Sequence, residues 1–509
     1  MSYKDISEFI ETLKDKNELL EIDIPVSSDL EITEITDRAS KNIDFPNKAL
    51  LFNKVEGYDI PVLTNAFGSF ERMNLALDVN NIKEIASRIE ELLKPEVPDS
   101  LMGKVSMLPK FVEVGTFLPR IVKDAPCQEV VITDMSQPIL DKLPILKCWP
   151  QDGGNFITLP LVVTKNPATG ARNVGMYRLQ KFDNTTTGMH WHKHHDGAKN
   201  FEEFKKLKLR TSLHCEGSPP PQCSTPASQF NVAVAIGGDP AITYAATAPL
   251  PPGIDEMIFA GFLRKKPVSL VKCKTVDLEV PADAEIVLEG YIDTEELRTE
   301  GPFGDHTGYY SLSDMYPVFH ITAMTHRKKP VYPATIVGKP PQEDCYMGKA
   351  TEQIFLPVLR QIIPEIVDMN LPMEGVFHNC AIISINKRYP GHASKVISAV
   401  WGLGQLMFTK FVVIVDSDVN IHNISEVSWK IFNNVDPARD CIITKGPVDM
   451  LDHASQLPGY GGKMGIDATK KWKEEGFIRD WPEEIVMSEE IKKRVGEKFY
   501  EFTGRNFGI

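Results

Sequence analysis

The sequence predicts a multidomain protein of α/β and α+β type, with a β-rich domain between two domains that mix helix and strand. A chain of 509 residues is too long for a single hydrophobic core. Between residues 116 and 315, short β-branched runs are broken by Gly, Pro and Asn, whereas helical and apolar-strand patterns alternate after residue 316. We therefore expect three domains, at residues 1–115, 116–315 and 316–509.

The N-terminal domain is expected to contain two helices and a strand. Apolar residues recur at helical spacing at Ile6, Phe9, Ile10 and Leu13. Residues 19–26 alternate apolar and charged side chains, which predicts a strand. A second helix has one apolar face, formed by Ile82, Ile85, Ile89, Leu92 and Leu93. It ends before residues 95–100, whose prolines are typical of a linker, and residues 102–114 then lead to the first boundary.

The central segment contains short apolar runs, each about as long as a single strand. These runs cover residues 130–133, 159–164, 230–236 and 242–245. Their spacing favours an antiparallel barrel or sandwich over repeated βαβ units. One helix, near residues 255–263, is predicted to interrupt the strands.

The C-terminal segment alternates helix and strand. A helix is predicted from Ile354, Leu359, Ile362 and Ile363. Residues 381–385, 411–415 and 441–444 are almost wholly apolar, as expected for parallel strands buried on both faces. A last amphipathic helix carries Ile491, Val495, Phe499 and Phe502 on one face, which favours packing on a second subunit.

Composition and charge exclude several classes of protein. With 42% hydrophobic and 25% charged residues, the chain has the composition of an ordinary globular protein. Its net charge of -13 argues against a nucleic-acid partner. No apolar run is long enough to span a membrane, and no apolar signal segment follows Met1. The eight cysteines include no CxxC pair, which favours reduced thiols, so we expect a cytoplasmic protein.

The segment EGPFGDH places two acids and an imidazole in a turn rich in Gly and Pro. Gly301 and Pro302 disfavour regular structure, so a loop is expected to present Glu300 and Asp305 together. Two acids close together in a pocket tend to separate in pKa, which suits proton transfer. The alternative is a tight turn whose acids cap backbone amides.

A second feature is a dense group of histidines, namely His190, His192, His194 and His195. Imidazole is a common zinc ligand, so one hypothesis is a metal-dependent hydrolase built on this group. No HExxH or CxxC motif accompanies it, which disfavours that hypothesis. Solvated or hydrogen-bonding histidines are the simpler interpretation of the last three.

Five segments occur in a definite order: NVGMYRLQ at 173–180, TGMHWH at 187–192, the run 248–264, EGPFGDHTGYY at 300–310 and RYPGHASK at 388–395. As an ordered set they resemble the UbiD-type decarboxylases that use prenylated FMN, in the branch acting on 3-polyprenyl-4-hydroxybenzoate or 4-hydroxybenzoate. The resemblance covers essentially the whole chain. It implies a central split β-barrel that binds the cofactor, flanked by an N-terminal and a C-terminal α/β domain.

The resemblance also implies where a metal and the cofactor bind. It assigns Asn173, His190 and Glu256 to a metal, and this oxygen-rich set suits Mn²⁺ or Mg²⁺ better than zinc. It implies K⁺ nearby as well. The implied cofactor contacts are Met176, Tyr177, Arg178, His190, Trp191, His192 and Lys395. For Lys395, a solvent-facing position at the start of a helix is the alternative.

The implied catalytic residues are Arg178, Glu300 and Asp305. A guanidinium binds a carboxylate in bidentate fashion, so Arg178 is expected to hold the substrate. Glu300 is expected to orient Arg178, and Asp305 to protonate the ring carbon that loses CO₂. His306 is a further candidate for proton delivery.

The resemblance implies a reversible decarboxylase of an aromatic carboxylic acid. It leaves two substrates open, a polyprenylated hydroxybenzoate of quinone (ubiquinone) biosynthesis and a small phenolic acid. It further implies a flavin prenyltransferase that supplies the cofactor, and a homo-oligomer, dimer or hexamer. Besides the metal-dependent hydrolase, a non-catalytic subunit of a carboxylase complex is the remaining alternative.

Overall fold

The computed structural model describes residues 3–94, 115–192, 195–214, 228–251 and 253–503. The linker predicted at 95–100, the connection at 102–114 and His194 lie outside these residues.

Helices and strands alternate along the described residues. The α-helices are α1 Ile6–Asp15, α2 Glu31–Ser40, α3 Phe70–Ala76, α4 Lys83–Leu93, α5 Asp196–His214, α6 Pro240–Ala245, α7 Glu256–Arg264, α8 Glu343–Ile362, α9 His392–Trp401, α10 Ile424–Asn434, α11 Pro437–Asp440 and α12 Glu489–Thr503. The strands are β1 Leu19–Ile22, β2 Ala49–Phe52, β3 Val62–Thr64, β4 Arg120–Val122, β5 Val130–Ile132, β6 Phe156–Ile157, β7 Pro160–Lys165, β8 Arg172–Met176, β9 Leu179–Gln180, β10 Thr186–Gly188, β11 Gln229–Ile236, β12 Ser269–Lys272, β13 Glu279–Pro281, β14 Ile286–Glu300, β15 Phe303–Gly304, β16 Tyr310–Ser311, β17 Asp314–His326, β18 Tyr332–Pro333, β19 Ile366–Asn370, β20 Cys380–Ile385, β21 Phe411–Asp416, β22 Cys441–Pro447 and β23 Tyr460–Asp467.

The N-terminal segment forms a four-stranded sheet of order β1-β2-β3-β18. The predicted helices are present as α1 and α4, and the predicted strand is present as β1. Asp5 begins α1 by accepting a hydrogen bond from the Glu8 backbone amide at 3.1 Å, as an N-cap carboxylate does. The fourth strand, β18, comes from residues 332–333 and pairs with β3 in parallel. A late segment of the chain therefore completes the first sheet.

The central segment forms a seven-stranded antiparallel sheet of order β10-β17-β14-β11-β7-β8, with β5 also paired to β17. Within the described ranges no strand pairing joins β8 to β10, so hydrogen bonding does not close this sheet and the split barrel stays a prediction. The helix predicted near 255–263 is present as α7. The apolar sides of α1, α4, α7 and the central sheet share one core.

One predicted strand is wrong. Residues 242–245 belong to α6, a helix in which all six residues are buried. Asp239 begins this helix by accepting from the Ala241 amide at 2.8 Å, and Pro240 occupies the first helical position. A short buried helix and a buried strand carry the same apolar pattern, and the Asp-Pro start is the feature that separates them.

The C-terminal segment forms a five-stranded sheet of order β19-β20-β21-β23-β22. β20, β21 and β23 are parallel, which confirms the first two predicted buried strands. The third prediction is wrong, because β22 is an antiparallel edge strand on which Ile443 is 75% exposed. The amphipathic C-terminal helix is present as α12, and its Val495 and Phe499 are exposed. Among the described helices none is long and apolar enough to cross a membrane.

Candidate active site

The segment EGPFGDH is held in place by two hydrogen bonds to side chains from the first half of the chain. Glu300 is the last residue of β14, and Gly301 adopts a φ of +92°, which a residue with a Cβ rarely adopts. The Gly301 amide donates to the side-chain oxygen of Gln180 at 2.7 Å. The Gly304 amide donates to Asp152 at 2.8 Å. Gly301 and Pro302 form the predicted loop between β14 and β15. Other residues accept the Gly301 and Gly304 amides, but Asp305 accepts the His306 amide, so the alternative of an acid that caps a backbone amide is met in part.

Arg178 lies between β8 and β9, and all three nitrogen atoms of its guanidinium contact residues in the segment 300–311. Its Nε donates to Glu300 Oε1 at 3.2 Å, and its Nη1 forms an ion pair with Asp305. Its Nη2 donates to Ser311 Oγ at 3.1 Å, and its Cζ lies 4.7 Å from the centre of the Phe303 ring. Glu300 and Asp305 are only 1% and 6% exposed. The structure therefore brings the three predicted catalytic residues together in a buried cluster.

Asp305 also binds the imidazole that follows it in the chain. Its Oδ1 accepts from the His306 backbone amide and from His306 Nδ1, each at 2.7 Å. Burial alone would raise the pKa of Asp305, but the Arg178 guanidinium and His306 together hold that pKa well below its usual range. Burial lowers the pKa of His306, but Asp305 outweighs it and raises the pKa to about 9. At neutral pH the pair is an aspartate and an imidazolium.

A second chain of contacts leads from Glu300 into the histidine group. His190 Nδ1 lies 2.7 Å from Glu300 Oε1, and His190 Nε2 lies 2.6 Å from His192 Nε2. Burial, and then the Arg178 charge, lower the pKa of His190. Burial, followed by His190 and His195, lowers the pKa of His192 to about 2. These two rings are neutral, so His190 donates from Nδ1 to the Glu300 carboxylate and accepts from His192.

Asn173 and Glu256 meet where the start of α7 packs against β8. The Asn173 side-chain amide donates to Glu256 Oε1 at 3.2 Å, and the Val174 amide donates to Glu256 Oε2 at 3.0 Å. Burial raises the pKa of Glu256 to about 7. Asn173 Oδ1 is buried and makes no hydrogen bond. An unpaired buried oxygen beside a carboxylate is a donor set that suits a hard cation.

His190 is not joined to these two oxygen donors, because Glu300 and His192 engage both of its ring nitrogens. Within the described ranges no group of three or more His, Cys, Asp or Glu side chains is arranged to hold a metal ion. The metal site, and K⁺ with it, stay predictions. The zinc-hydrolase hypothesis gains no support from the histidines that the structure describes.

The remaining predicted cofactor residues fall into two places. Tyr177 and Trp191 pack edge to face near the cluster, with ring centres 6.3 Å apart, and the half-buried Met176 ends β8. Trp191 Nε1 is a buried donor with no hydrogen-bond partner in the structure. Lys395, which lies on α9, instead forms an ion pair with Glu365. The Lys395 side chain is 46% exposed.

Gly188 leaves room for the Glu300 side chain in its buried position. A Cβ built on Gly188 would lie 2.7 Å from Glu300 Oε2, closer than side chains tolerate. Glu300 Oε2 itself is buried and has no hydrogen-bond partner. The unpaired Glu300 oxygen and the unpaired Trp191 donor are each buried polar atoms that a polar cofactor could bind.

Sequence reasoning missed four residues that shape the cluster. Gln180 and Asp152 hold the loop, Ser311 binds Arg178, and His378 lies 2.7 Å from His306, measured between the Nε2 atoms. Ser311 directly follows the segment EGPFGDHTGYY, so its position in the chain was a usable signal. His378 is isolated in the sequence and carries no such signal.

Comparison with known proteins places the chain among carboxy-lyases. Residues 10–89, 120–340 and 345–468 match the N-terminal, Rift-related and C-terminal domains of 3-octaprenyl-4-hydroxybenzoate carboxy-lyase, UbiD. An uncharacterized protein of Archaeoglobus fulgidus is 52% identical over 97% of this chain and 98% of its own length.

Two solved structures share the fold over nearly the full length. The closed form of the vanillic acid decarboxylase of Sedimentibacter hydroxybenzoicus is 28% identical, with a TM-score of 0.81 over 98% of this chain and 99% of that chain. An evolved dimeric form of the UbiD-class enzyme HmfF from Pelotomaculum thermopropionicum, in complex with prFMN, is 29% identical. Its TM-score is 0.74 over 96% of this chain and 98% of that chain.

Proposed function

The chain belongs to the UbiD family of carboxy-lyases, and we propose that it reversibly removes CO₂ from an aromatic carboxylic acid with the help of prenylated FMN. One observation carries this proposal: a buried guanidinium, Arg178, faces two carboxylates, Glu300 and Asp305, of which the second is paired with a protonated imidazole. The cluster thus offers an anchor for a carboxylate and a proton close to it.

Arg178 would hold the substrate carboxylate by exchanging one of its present partners. Its nitrogens contact Glu300, Asp305 and Ser311, so an incoming carboxylate has to share or replace a contact. Glu300 keeps the Nε side of the guanidinium fixed, because its carboxylate is buried and also accepts from His190. The outer nitrogens are therefore the ones that turn to the substrate.

The arrival of a third carboxylate would change the protonation of Asp305. When a substrate carboxylate shares Arg178, Asp305 loses part of the charge that keeps it ionised and gains a like charge nearby, and both effects raise its pKa. The proton on His306 Nδ1 then passes to Asp305 Oδ1, which it already faces at 2.7 Å. Asp305 becomes the acid that protonates the ring carbon in place of CO₂.

Prenylated FMN, when bound, supplies the electron-accepting partner that makes loss of CO₂ from an aromatic ring feasible. The residues that would hold it are Met176, Tyr177, Arg178, His190, Trp191 and His192, around the unpaired Trp191 Nε1. Asn173 and Glu256 would offer oxygen ligands to Mn²⁺ or Mg²⁺ beside its phosphate, with His190 as a third ligand once it releases His192. Lys395 would reach the phosphate only after leaving Glu365.

The substrate class we favour is a small phenolic acid. The family is named for a polyprenylated hydroxybenzoate, whereas the solved neighbour with a TM-score of 0.81 is a vanillic acid decarboxylase. The intact cluster argues against a non-catalytic subunit, since such a subunit has no need of a buried arginine between two acids. A flavin prenyltransferase would supply the cofactor, and we expect a homo-oligomer.

The test uses full-length protein co-expressed with a flavin prenyltransferase and purified without oxygen. The visible spectrum and the mass of the released cofactor are recorded, and CO₂ release is assayed with vanillate, 4-hydroxybenzoate and a 3-prenylated 4-hydroxybenzoate. Protein made without the prenyltransferase is the matched control. We expect a prenylated flavin and turnover of at least one small acid. Colourless protein carrying stoichiometric zinc, with no turnover, would overturn the proposal.

A further inference from the structure

The Asp305–His306 pair touches one residue of the C-terminal domain, His378. The Nε2 atoms of His306 and His378 lie 2.7 Å apart, a distance that requires one ring to donate a proton to the other. His306 faces the Asp305 carboxylate with Nδ1, and because its pKa is raised to about 9 it is charged at neutral pH. Its Nε2 therefore also carries a proton, which it donates to His378. His378 therefore accepts at Nε2 as a neutral ring.

The segment that presents His378 is held in an unusual conformation. A 3-10 helix, Met373–Gly375, ends at Val376 with φ +44°, and Phe377 follows with φ +51°. Consecutive left-handed residues with a Cβ, one of them β-branched, are strained and persist where surrounding contacts require them. Here the Phe377 ring stacks on His306, with centres 5.2 Å apart and planes at 24°. The strained turn thus places the Phe377 and His378 rings in contact with the same imidazole, that of His306.

His378 also leaves a polar atom without a partner. Its Nδ1, which carries the proton when Nε2 accepts, is buried and makes no hydrogen bond in the described structure. Filling the core alone would not require a histidine here, because an apolar ring would avoid the unpaired donor. The contact with His306 is what a histidine adds at this position.

We propose that His378 is a positioning residue that holds His306 in the charged form from which Asp305 takes its proton. The catalytic loop, residues 300–306, is then complete only when the C-terminal domain lies against it. The proposal rests on the decarboxylase function proposed above. The proton moves from His306 Nδ1 to Asp305 Oδ1 and from there to the ring carbon that has lost CO₂. His306 then stays neutral, with its remaining proton on Nε2 and bonded to His378, until water returns a proton to it.

Other charged groups face the two rings and stay constant in the test. Asp344 on α8 and Asp449, in the loop after β22, both act on His306 with the sign that favours its charged form. Asp449, Asp305 and Asp452 act on His378 in the same sense, but burial and the charge on His306 outweigh them and lower the pKa of His378 to about 4. A change at position 378 alone therefore isolates its contact with His306.

Two amide variants of equal polarity make the test. In His378→Gln the side-chain oxygen reaches the place of Nε2, whereas in His378→Asn it is too short to do so. The pKa of His306 is followed by NMR of full-length, flavin-free protein labelled with ¹³C in its histidine rings, with the signal assigned through His306→Gln. A hydrogen bond to a charged donor corresponds to about one to two pH units, so we expect a downward shift of that size in His378→Asn and little change in His378→Gln.

Kinetics on the flavin-loaded variants give a second readout. We expect kcat to fall about tenfold in His378→Asn with KM little changed, the high-pH limb of the rate profile to move down with the pKa of His306, and His378→Gln to restore both. Equal behaviour of the two amides, or a His306 pKa that does not move in either, would overturn the proposal. If the pKa shifts as expected while no acid is turned over, the proposed reaction fails and the positioning role stands.

Discussion

Replacing Asp305 with Asn tests the central charge arrangement, because it keeps the size of the side chain and removes its charge. Burial lowers the pKa of His306 and Asp305 raises it, with a net value of about 9 against the ordinary 6.5. Without the Asp305 carboxylate, burial is opposed only by the weaker effects of Asp344 and Asp449, so the pKa of His306 should fall well below 9. At about 1.36 kcal/mol per pH unit, the net rise in the pKa of His306 corresponds to about 3 kcal/mol.

This value sets the direction of the pH dependence of stability. Since the pKa of His306 is higher in the folded than in the unfolded chain, its stabilising contribution is complete below pH about 6.5 and is lost as pH rises through about 9. The Asp305→Asn variant should lack this loss. Thermal melting of both proteins at pH 6.5 and 9 measures the difference, with the wild type losing more.

Two assays check the prediction directly. NMR of histidine-labelled protein gives the pKa of His306 among the 12 histidines. The rate of CO₂ release should fall by about 10²–10⁴, as for the loss of a general acid, while flavin content stays near that of the wild type. Asp418→Asn, at an acid whose side chain is 57% exposed, is the matched control. A His306 pKa still near 9, or turnover within threefold of wild type (a difference of about 0.65 kcal/mol), would refute the reasoning.

Three further predictions follow from the same contacts. Arg178→Lys keeps the charge but loses the fork that reaches Glu300 and Ser311, so initial rates should show a raised KM and a kcat/KM about tenfold to a hundredfold lower. Gly188→Ala would bring a Cβ to 2.7 Å from Glu300 Oε2 and should lower flavin absorbance per protein about tenfold. Gly402→Ala is the control and should not, because its Cβ would meet two backbone carbonyl oxygens at the ordinary contact distances of 3.5 and 3.7 Å. Because the pair needs its proton, kcat/KM should fall about tenfold per pH unit above pH 9, and a rate that is flat to pH 10 would contradict this.

The sequence predicted the cluster well because its parts lie in contiguous segments. Glu300, Asp305 and His306 share one loop, so their proximity follows from the chain itself, and the segment with Arg178 came with the family resemblance. His378 could not be found this way, since its contact with His306 is formed by folding across 72 positions. Periodicity could likewise not separate α6 from a strand, because a segment buried on all sides carries no alternation.

The strand β22 was predicted, but its antiparallel, exposed edge position was not, for a related reason. Its apolar residues resemble those of the buried β20, but its neighbour β23 runs antiparallel to it, and no strand of the described ranges pairs with its other edge. Burial depends on what lies beside a strand, and that information is absent from the strand's own residues. The domain boundaries stay predictions as well, since the N-terminal helices and the central sheet share one apolar core.

The pairing of β18 with β3 has a consequence for synthesis of the chain. β3 ends at Thr64, whereas β18 begins at Tyr332, so the first sheet keeps an unpaired edge until most of the protein has left the ribosome. At about 5–20 residues per second this delay is on the order of tens of seconds. During that time the exposed edge is open to pairing with other nascent chains. Arrested chains from which β18 has not yet emerged should therefore aggregate more readily than chains arrested far enough beyond residue 333 for β18 to pair with β3.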